Sequence, residues 1–139
     1  MPGVPLNLVE IFSSVQGEGP HVGQRTLFVR FGECDLRCRW CDSPGTWRPA
    51  RRCRVALDAR GSEHEWRDNP LRPPEVVEAA ERLDLSSHAF VSLTGGEPLL
   101  QPEGVAACAR ALRERGPRLL LETHGLAHQA LPAVLDCVD

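Results

Sequence analysis

A chain of 139 residues has room for one domain around one core and excludes two ordinary domains. With 42% hydrophobic and 25% charged residues it can bury a normal interior, which excludes wholesale disorder and a miniprotein dependent on disulfides. The formal charge of -3 excludes a general electrostatic hold on nucleic acid or anionic lipid, so neither a direct nucleic-acid partner nor a membrane partner is expected.

No run reaches the roughly 18 to 20 apolar residues of a membrane span, and the N-terminus lacks a basic start followed by an apolar stretch. The expected location is therefore cytoplasmic. In a reducing compartment the six cysteines, Cys34, Cys38, Cys41, Cys53, Cys108 and Cys137, read as ligands or buried thiols rather than disulfides.

In chain order, Leu6 to Phe12 and Arg25 to Phe31 are rich in Val, Leu, Ile and Phe and read as strands, with a turn at Gln16-Gly17-Glu18-Gly19-Pro20 between them. From Arg37 to Arg60 seven arginines face only Asp42 and Asp58, opposite in sign to the chain as a whole. From Pro44 to Arg72 no apolar period holds, which predicts an irregular insertion rich in Arg and Pro at about 44–72. Pro73 and Pro74 suit the first turn of a helix whose apolar face is Val76, Val77, Ala80 and Leu83. A strand at Ala89 to Leu93 leads to the turn Thr94-Gly95-Gly96-Glu97-Pro98. A second helix follows, with Val105, Cys108, Ala109 and Leu112 on one face, and Gly116-Pro117 ends it. Arg118 to Glu122 reads as a strand, Leu126 to Leu135 as a weak helix, and another strand is expected to begin at Cys137-Val138-Asp139. This alternation predicts a parallel α/β sheet.

Cys34-Asp35-Leu36-Arg37-Cys38-Arg39-Trp40-Cys41 places three thiols, spaced C-x3-C-x2-C, on one loop directly after a predicted strand. A structural zinc site wants four ligands, so Cys53, His21 or another residue would have to join them. An iron-sulfur cubane held by three thiolates keeps one iron open to a substrate or cofactor. Arg37 and Arg39 beside the thiols favour the thiolate form. Cys53, Cys108 and Cys137 read as thiols outside this triple, and His21, His64, His88 and His128 as solvated side chains.

The C-x3-C-x2-C loop with Trp40 before its third cysteine resembles the cluster loop of the radical S-adenosylmethionine superfamily. Thr94-Gly95-Gly96-Glu97-Pro98 resembles that superfamily's glycine-rich segment along the cofactor's methionine ammonium. Two glycines let the backbone approach closely, and carbonyls with a carboxylate accept from a cation. Within the superfamily, Glu10 to Gly19, Gly23, Phe28-Val29-Arg30, Cys41-Asp42-Ser43 and Leu121 to Gly125 resemble the 7-carboxy-7-deazaguanine synthase family. That family converts 6-carboxy-5,6,7,8-tetrahydropterin to 7-carboxy-7-deazaguanine with loss of ammonia, a lyase step toward queuosine and related 7-deazapurines.

The resemblance implies a 4Fe-4S cluster on Cys34, Cys38 and Cys41, S-adenosylmethionine contacts from Trp40, Cys41, Asp42 and Gly96, and Mg2+ on Ser43. It also implies substrate contacts from Val15, Gln16, Gly17, Arg30 and Thr94, with Glu18 close by and Arg30 taking the pterin carboxylate. No side chain is expected to be catalytic, because the radical derives from the cofactor. Glu122 is open between facing the site and holding Arg118, and His124 has no assigned role. Arg30 pairing with Glu10, and Ser43 capping the next segment, stay open as structural uses.

The family fold implied is a partial (β/α) barrel of about six strand-helix units, against about 250 residues for a full eight-unit barrel. The chain is therefore expected to be the N-terminal part, 1–139, of a single core domain, incomplete at its C-terminus. A homodimer is expected to cover open apolar flanks, with a reducing electron donor such as flavodoxin as a further partner. Two other readings stand beside this one: an activase that installs a glycyl radical on a protein, and a non-enzymatic metal- or RNA-binding module using Arg48, Arg51, Arg52 and Arg54.

Overall fold

The structure, a computed structural model, describes residues 3–139. Six strands form one open sheet: β1 (Leu8–Val15), β2 (Arg25–Phe31), β3 (Arg52–Ala56), β4 (His64–Asp68), β5 (Phe90–Gly95) and β6 (Arg118–Leu121). Helices α1 (Pro73–Arg82) and α2 (Pro102–Arg113) pack against it. The strand order is β4-β3-β1-β2-β5-β6, so β4 and β6 are edges and the sheet is not closed. Strands β2, β5 and β6 run parallel, joined through α1 and α2 as the alternation predicts. The β1–β2 and β3–β4 pairs are antiparallel, which makes the sheet mixed rather than wholly parallel.

Each central strand is two-faced, and the two faces do different work. Leu8 and Ile11 of β1, Leu27, Val29 and Phe31 of β2, Val55 of β3, Leu93 of β5 and Leu119 of β6 are fully buried. They join Val76 and Ala80 of α1 and Val105, Cys108 and Leu112 of α2 in one core, the two helical faces that the sequence predicts. Fully burying such side chains is worth ~1.5–3 kcal/mol each relative to exposure. The register slips between Leu8 and Glu10, a bulge that keeps Leu8 in the core and still turns Glu10 to the opposite face. That opposite face carries Glu10, Phe12 and Ser14, then Phe28 and Arg30, then Thr94, and it bears the cavities.

Local chemistry sets the element ends. Pro73 and Pro74 occupy the first turn of α1, whose Glu75 carboxylate accepts from the Arg72 amide at 2.8 Å. Gly104 lets α2 lie close to the chain start, where a Cβ would sit 2.8 Å from Leu6 Cδ2. Side-chain amides of Asn7, Asn69 and Gln101 satisfy backbone groups around Leu8, Gly32 and Ala50, pinning the start of β1 beside the end of β2. Leu6 lies before β1 and forms an isolated bridge with Leu71 instead of opening the strand.

The segment 44–72 is not irregular. It contains the β3–β4 hairpin, whose loop is held by Asp58 accepting from the amides of Arg60, Ser62 and Glu63 and the Ser62 hydroxyl. Those donors hold the Asp58 carboxyl at about 2. Residues 128–133 form a 3-10 helix with Pro132 inside it, because proline supplies no amide hydrogen for an α-turn. Asp139 accepts from the Leu119 amide through its side chain and donates its own amide to the Leu119 carbonyl, which sets this one residue beside β6; residues 137–139 form no strand, where one was expected to begin. Among the described residues no helix is long and apolar enough to cross a membrane.

His88 is buried, against the expectation of a solvated ring. Its Nδ1 donates to the Asp84 carbonyl at 3.0 Å, and its Nε2 accepts from the Ser13 hydroxyl at 2.7 Å. His21 likewise packs on the Phe90 ring, with centroids 4.2 Å apart. Burial pushes the His88 pKa below its ordinary value of 6.5, so the unfolded chain takes up this proton first. His88 therefore gives its full stability above about pH 6.5 and loses it as the pH falls through the folded-state value. Urea midpoints should drop between pH 7.5 and pH 5 in the native protein and drop less in His88→Gln; parallel pH profiles would contradict this.

Candidate active site

Three parallel strands deliver three loops to one end of the sheet, the carboxyl end, where open α/β folds place ligands. The loop after β2 carries Cys34, Cys38 and Cys41, the loop after β5 carries Gly95, Gly96 and Glu97, and the loop after β6 carries Glu122, Thr123 and His124.

The first two loops touch through backbone. A Cβ on Gly96 would lie 2.1 Å from the Glu33 carbonyl oxygen, and one on Gly95 would lie 2.8 Å from the Phe31 oxygen. Only glycine fits, and the Glu97 amide then donates to the Glu33 carbonyl at 2.8 Å. Glu33 itself takes the left-handed conformation, φ 73°, as the chain turns into the cysteine loop. The glycines thus admit the stem of the cysteine loop.

Glu97 differs from its expected role. Its carboxylate is fully buried and accepts from the Leu99 amide (2.8 Å), the His124 amide (2.8 Å) and the Thr123 hydroxyl (2.9 Å). With its acceptor sites used inside the protein, it is not presented to a cation in the cavity. The His124 ring completes the tie: Nδ1 accepts from the Leu126 amide at 3.0 Å, and Nε2 donates to Asp35 in the cysteine loop at 2.8 Å. That hydrogen bond from His124 holds the Asp35 carboxyl below its ordinary range. Arg37 braces the same loop, donating to the Cys34 and Leu36 carbonyls and lying over the Trp47 ring.

Of the cavities beside these loops, two gather the expected residues. One, of about 240 Å³, is lined by Cys34, Cys38, Cys41, Trp40, Asp42, Ser43, Gly96 and His124, and so gathers every residue expected to meet cluster or cofactor. Trp40 stands at its rim and is 84% exposed. The other, of about 310 Å³, is lined by Val15, Gln16, Gly17, Arg30 and Thr94, the full expected substrate set, with Glu18 and Glu122. Both cavities share Glu18, Asp42, Ser43 and Gly95, so they are continuous.

In the larger cavity, Glu122 faces the site. It accepts from Gln16 Nε2 at 2.7 Å, and Gln16 Oε1 takes the Glu18 amide at 3.3 Å, which fixes the carboxamide's orientation. Arg118 lies over Phe90 instead. Arg30 does pair with Glu10, through Nε at 2.9 Å, and Nη1 reaches the Gly95 carbonyl at 3.4 Å. Its Nη2 keeps no hydrogen-bond partner among the described residues, and Arg30 lines this cavity. Ser43 makes no side-chain cap, so its hydroxyl stays available. Phe12 and Phe28, absent from the expected set, stack 5.1 Å apart and give the cavity an apolar wall.

The thiols divide sharply. Cys34, Cys38 and Cys41 are half-exposed on one cavity wall, while Cys53, Cys108 and Cys137 are buried. Burial pushes Cys53 and Cys108 up to about 12 and raises Cys137. With Cys53 in the core and His21 against Phe90, neither named candidate for a fourth zinc ligand reaches the loop. Among the described residues no three His, Cys, Asp or Glu side chains converge to hold a single metal ion, whereas three thiols lining one cavity suit the larger body of a cluster with one open iron.

The pattern of the radical SAM superfamily matches residues 28–136, and the chain belongs to that superfamily. At closer range it is similar to the 7-carboxy-7-deazaguanine synthase of Methanopyrus kandleri, 41% identical over 99% of this chain and 56% of the relative. It is likewise similar to that of Geobacter sulfurreducens, at 42% identity over 99% and 55%. The chain spans about half the length of the curated relatives it matches. The fold resembles the crystal structure of QueE from Escherichia coli, with a TM-score of 0.64 and 24% identity over 87% of this chain and 52% of that one.

Alkylation of the metal-free protein near pH 8 should modify Cys34, Cys38 and Cys41 quickly and the other three only after unfolding. Rapid labelling of Cys53 or Cys108 under native conditions, read by peptide mass spectrometry, would contradict the division.

Proposed function

We propose that the chain is the part of a 7-carboxy-7-deazaguanine synthase that carries the cluster loop and most of the pterin pocket. On this reading residues 1–139 are the N-terminal part of a single radical SAM core domain. The whole protein acts as a lyase on 6-carboxy-5,6,7,8-tetrahydropterin in the cytoplasm, with loss of ammonia. The observation that carries this reading is the junction of the two cavities at Glu18, Asp42, Ser43 and Gly95. That shared lining would set a cofactor held in one cavity directly against a substrate held in the other.

Cys34, Cys38 and Cys41 would hold the 4Fe-4S cluster, with Trp40, Asp42 and Gly96 beside S-adenosylmethionine. Bound there, cluster and cofactor supply a 5'-deoxyadenosyl radical after reduction by an electron donor such as flavodoxin. The protein's own part is binding and orientation. Phe12 and Phe28 offer a flat apolar wall, and the Gln16 carboxamide, fixed by Glu122, matches a pterin edge of alternating donors and acceptors. Val15 and Gly17 flank Gln16, Thr94 supplies a further contact, and Nη2 of Arg30 takes the substrate carboxylate. The uncommitted Ser43 hydroxyl suits Mg2+, a hard cation that keeps other oxygens around it. A homodimer covers the apolar flanks of the open sheet.

Anaerobic reconstitution followed by S-adenosylmethionine and the carboxypterin should yield 5'-deoxyadenosine and 7-carboxy-7-deazaguanine from a protein of this sequence extended to the relatives' length. Cys38→Ala should lose cluster and turnover together. Arg30→Ala should keep its iron and weaken substrate binding by about 1.5–3 kcal/mol, the worth of a charged hydrogen bond. Unchanged KM in Arg30→Ala, or a glycyl radical on a protein substrate in place of deazaguanine, would overturn the assignment.

A further inference from the structure

A further cavity, of about 500 Å³, opens on the same sheet face and borders both sites described above, extending from them to the hairpin. Its lining includes Arg52, Arg54 and Trp66 of the hairpin that the sequence did not reveal, together with Glu10, Arg30 and Ser43. It shares Arg30, Asp42 and Ser43 with the pterin pocket, so the two are neighbours across one guanidinium.

The sheet register explains why these residues meet. Trp66 stands opposite Arg54, Arg54 opposite Glu10, Glu10 opposite Arg30, and Arg30 opposite Thr94. They form one cross-strand row, in which the backbones of Arg54 and Arg30 lie about 10 Å apart, two strand spacings. Glu10 between them is committed to Arg30 Nε. Neither Arg52 nor Arg54 has a carboxylate partner among the described residues: Arg54 donates to His64 Nδ1 at 3.3 Å, and Arg52 lies 5.1 Å from the Trp66 ring centroid. Trp66 is 51% exposed. Two guanidiniums without carboxylate partners beside a half-exposed indole, which has the His64 ring edge-on at 5.9 Å, make a site for a planar ring bearing an anionic oxygen group.

We propose that this cavity is a loading site for the carboxylated pterin, with Trp66 against the ring and Arg52 and Arg54 on the carboxylate before it passes to Arg30. The inference rests on the pterin reading above and adds a second place where the same ligand binds. The charge pattern favours it: Arg54 and Arg30 are successive cationic stations along one row, and the carboxylate exchanges one guanidinium for the other.

The test is anaerobic calorimetry of the cluster-bearing protein with 6-carboxypterin, an unreactive aromatic counterpart of the substrate. Two binding sites are expected. Arg52→Gln with Arg54→Gln should weaken one of them at least about tenfold, the cost of a lost charged hydrogen bond, and leave the other. Arg30→Ala should remove the other. Trp66→Ala should weaken the hairpin site while Trp66→Phe keeps it, which separates loss of stacking from loss of the hairpin. Pterin without its carboxylate should not fill the hairpin site. A single Arg30-dependent site, insensitive to the hairpin substitutions, would overturn the loading site and leave the pterin reading standing. A hairpin site without an Arg30-dependent one would overturn the pterin reading, and with it the handover. Salt-sensitive binding of single-stranded RNA through Arg52 and Arg54, with no second 6-carboxypterin site, would assign the patch to nucleic acid instead.

Discussion

One buried carboxylate organises this end of the molecule. Glu97 sits in a fully enclosed position and receives donors from its own turn and from the loop after β6, while its amide holds the stem of the cysteine loop. Burying a charged group without partners would cost several kcal/mol. Here the donors are two backbone amides and a threonine hydroxyl, so the charge is compensated and those backbone groups are satisfied in return. The three loops are bonded to a common centre instead of merely lying near one another. His124 extends the tie to Asp35, one residue beyond the first cysteine, so the thiol loop is fixed at both its stem and its first turn.

The division of labour between the two sheet faces lets so short a chain hold both a core and a site. Every second residue of the central strands packs toward α1 and α2, and the intervening positions are free to carry Glu10, Phe12, Arg30 and Thr94. The bulge near Val9 reconciles the two demands, because without the slip Leu8 and Glu10 would lie on the same face. The arrangement also makes Arg30 central. It is anchored by Glu10 on one side and by the Gly95 carbonyl on the other, and it lines the pocket with one nitrogen still without a partner among the described residues. An anchored guanidinium loses little further freedom when it takes a carboxylate, which favours tight recognition.

Much of this was legible in the sequence where a periodic signal and a punctuating residue coincided. Strand β2 occupies the expected 25–31, and both helices bury the faces marked by Val76 and Ala80 and by Val105 and Leu112, between Pro at their starts and turns at their ends. The β3–β4 hairpin escaped because its alternation is written in arginines, Arg52-Cys53-Arg54-Val55 against His64-Glu65-Trp66-Arg67, which lowers the apolar contrast on which such patterns depend. The signal that would have found it is the turn chemistry, Asp58 with Gly61 at positive φ followed by Ser62. The direction of β1 relative to β2 could not be read from strand pattern alone. At the site, the motifs brought together the expected residues, yet the functions of Glu97, His124 and Asp35 were hidden. The bonds that tie Glu97 to the loop after β6 and His124 to Asp35 span 26 to 89 residues in sequence, and only the folded sheet brings those partners together.

The account depends on Glu97 holding the cysteine loop in a shape that accepts a cluster, and iron loading of Glu97→Ala tests this most directly. Iron and sulfide per chain after anaerobic reconstitution should fall well below the native protein's, with far-UV circular dichroism retained and partial recovery in Glu97→Gln, whose amide can keep one of the acceptor bonds. Full cluster loading in Glu97→Ala, with native spectra, would show that the cysteine loop takes its shape without the buried carboxylate.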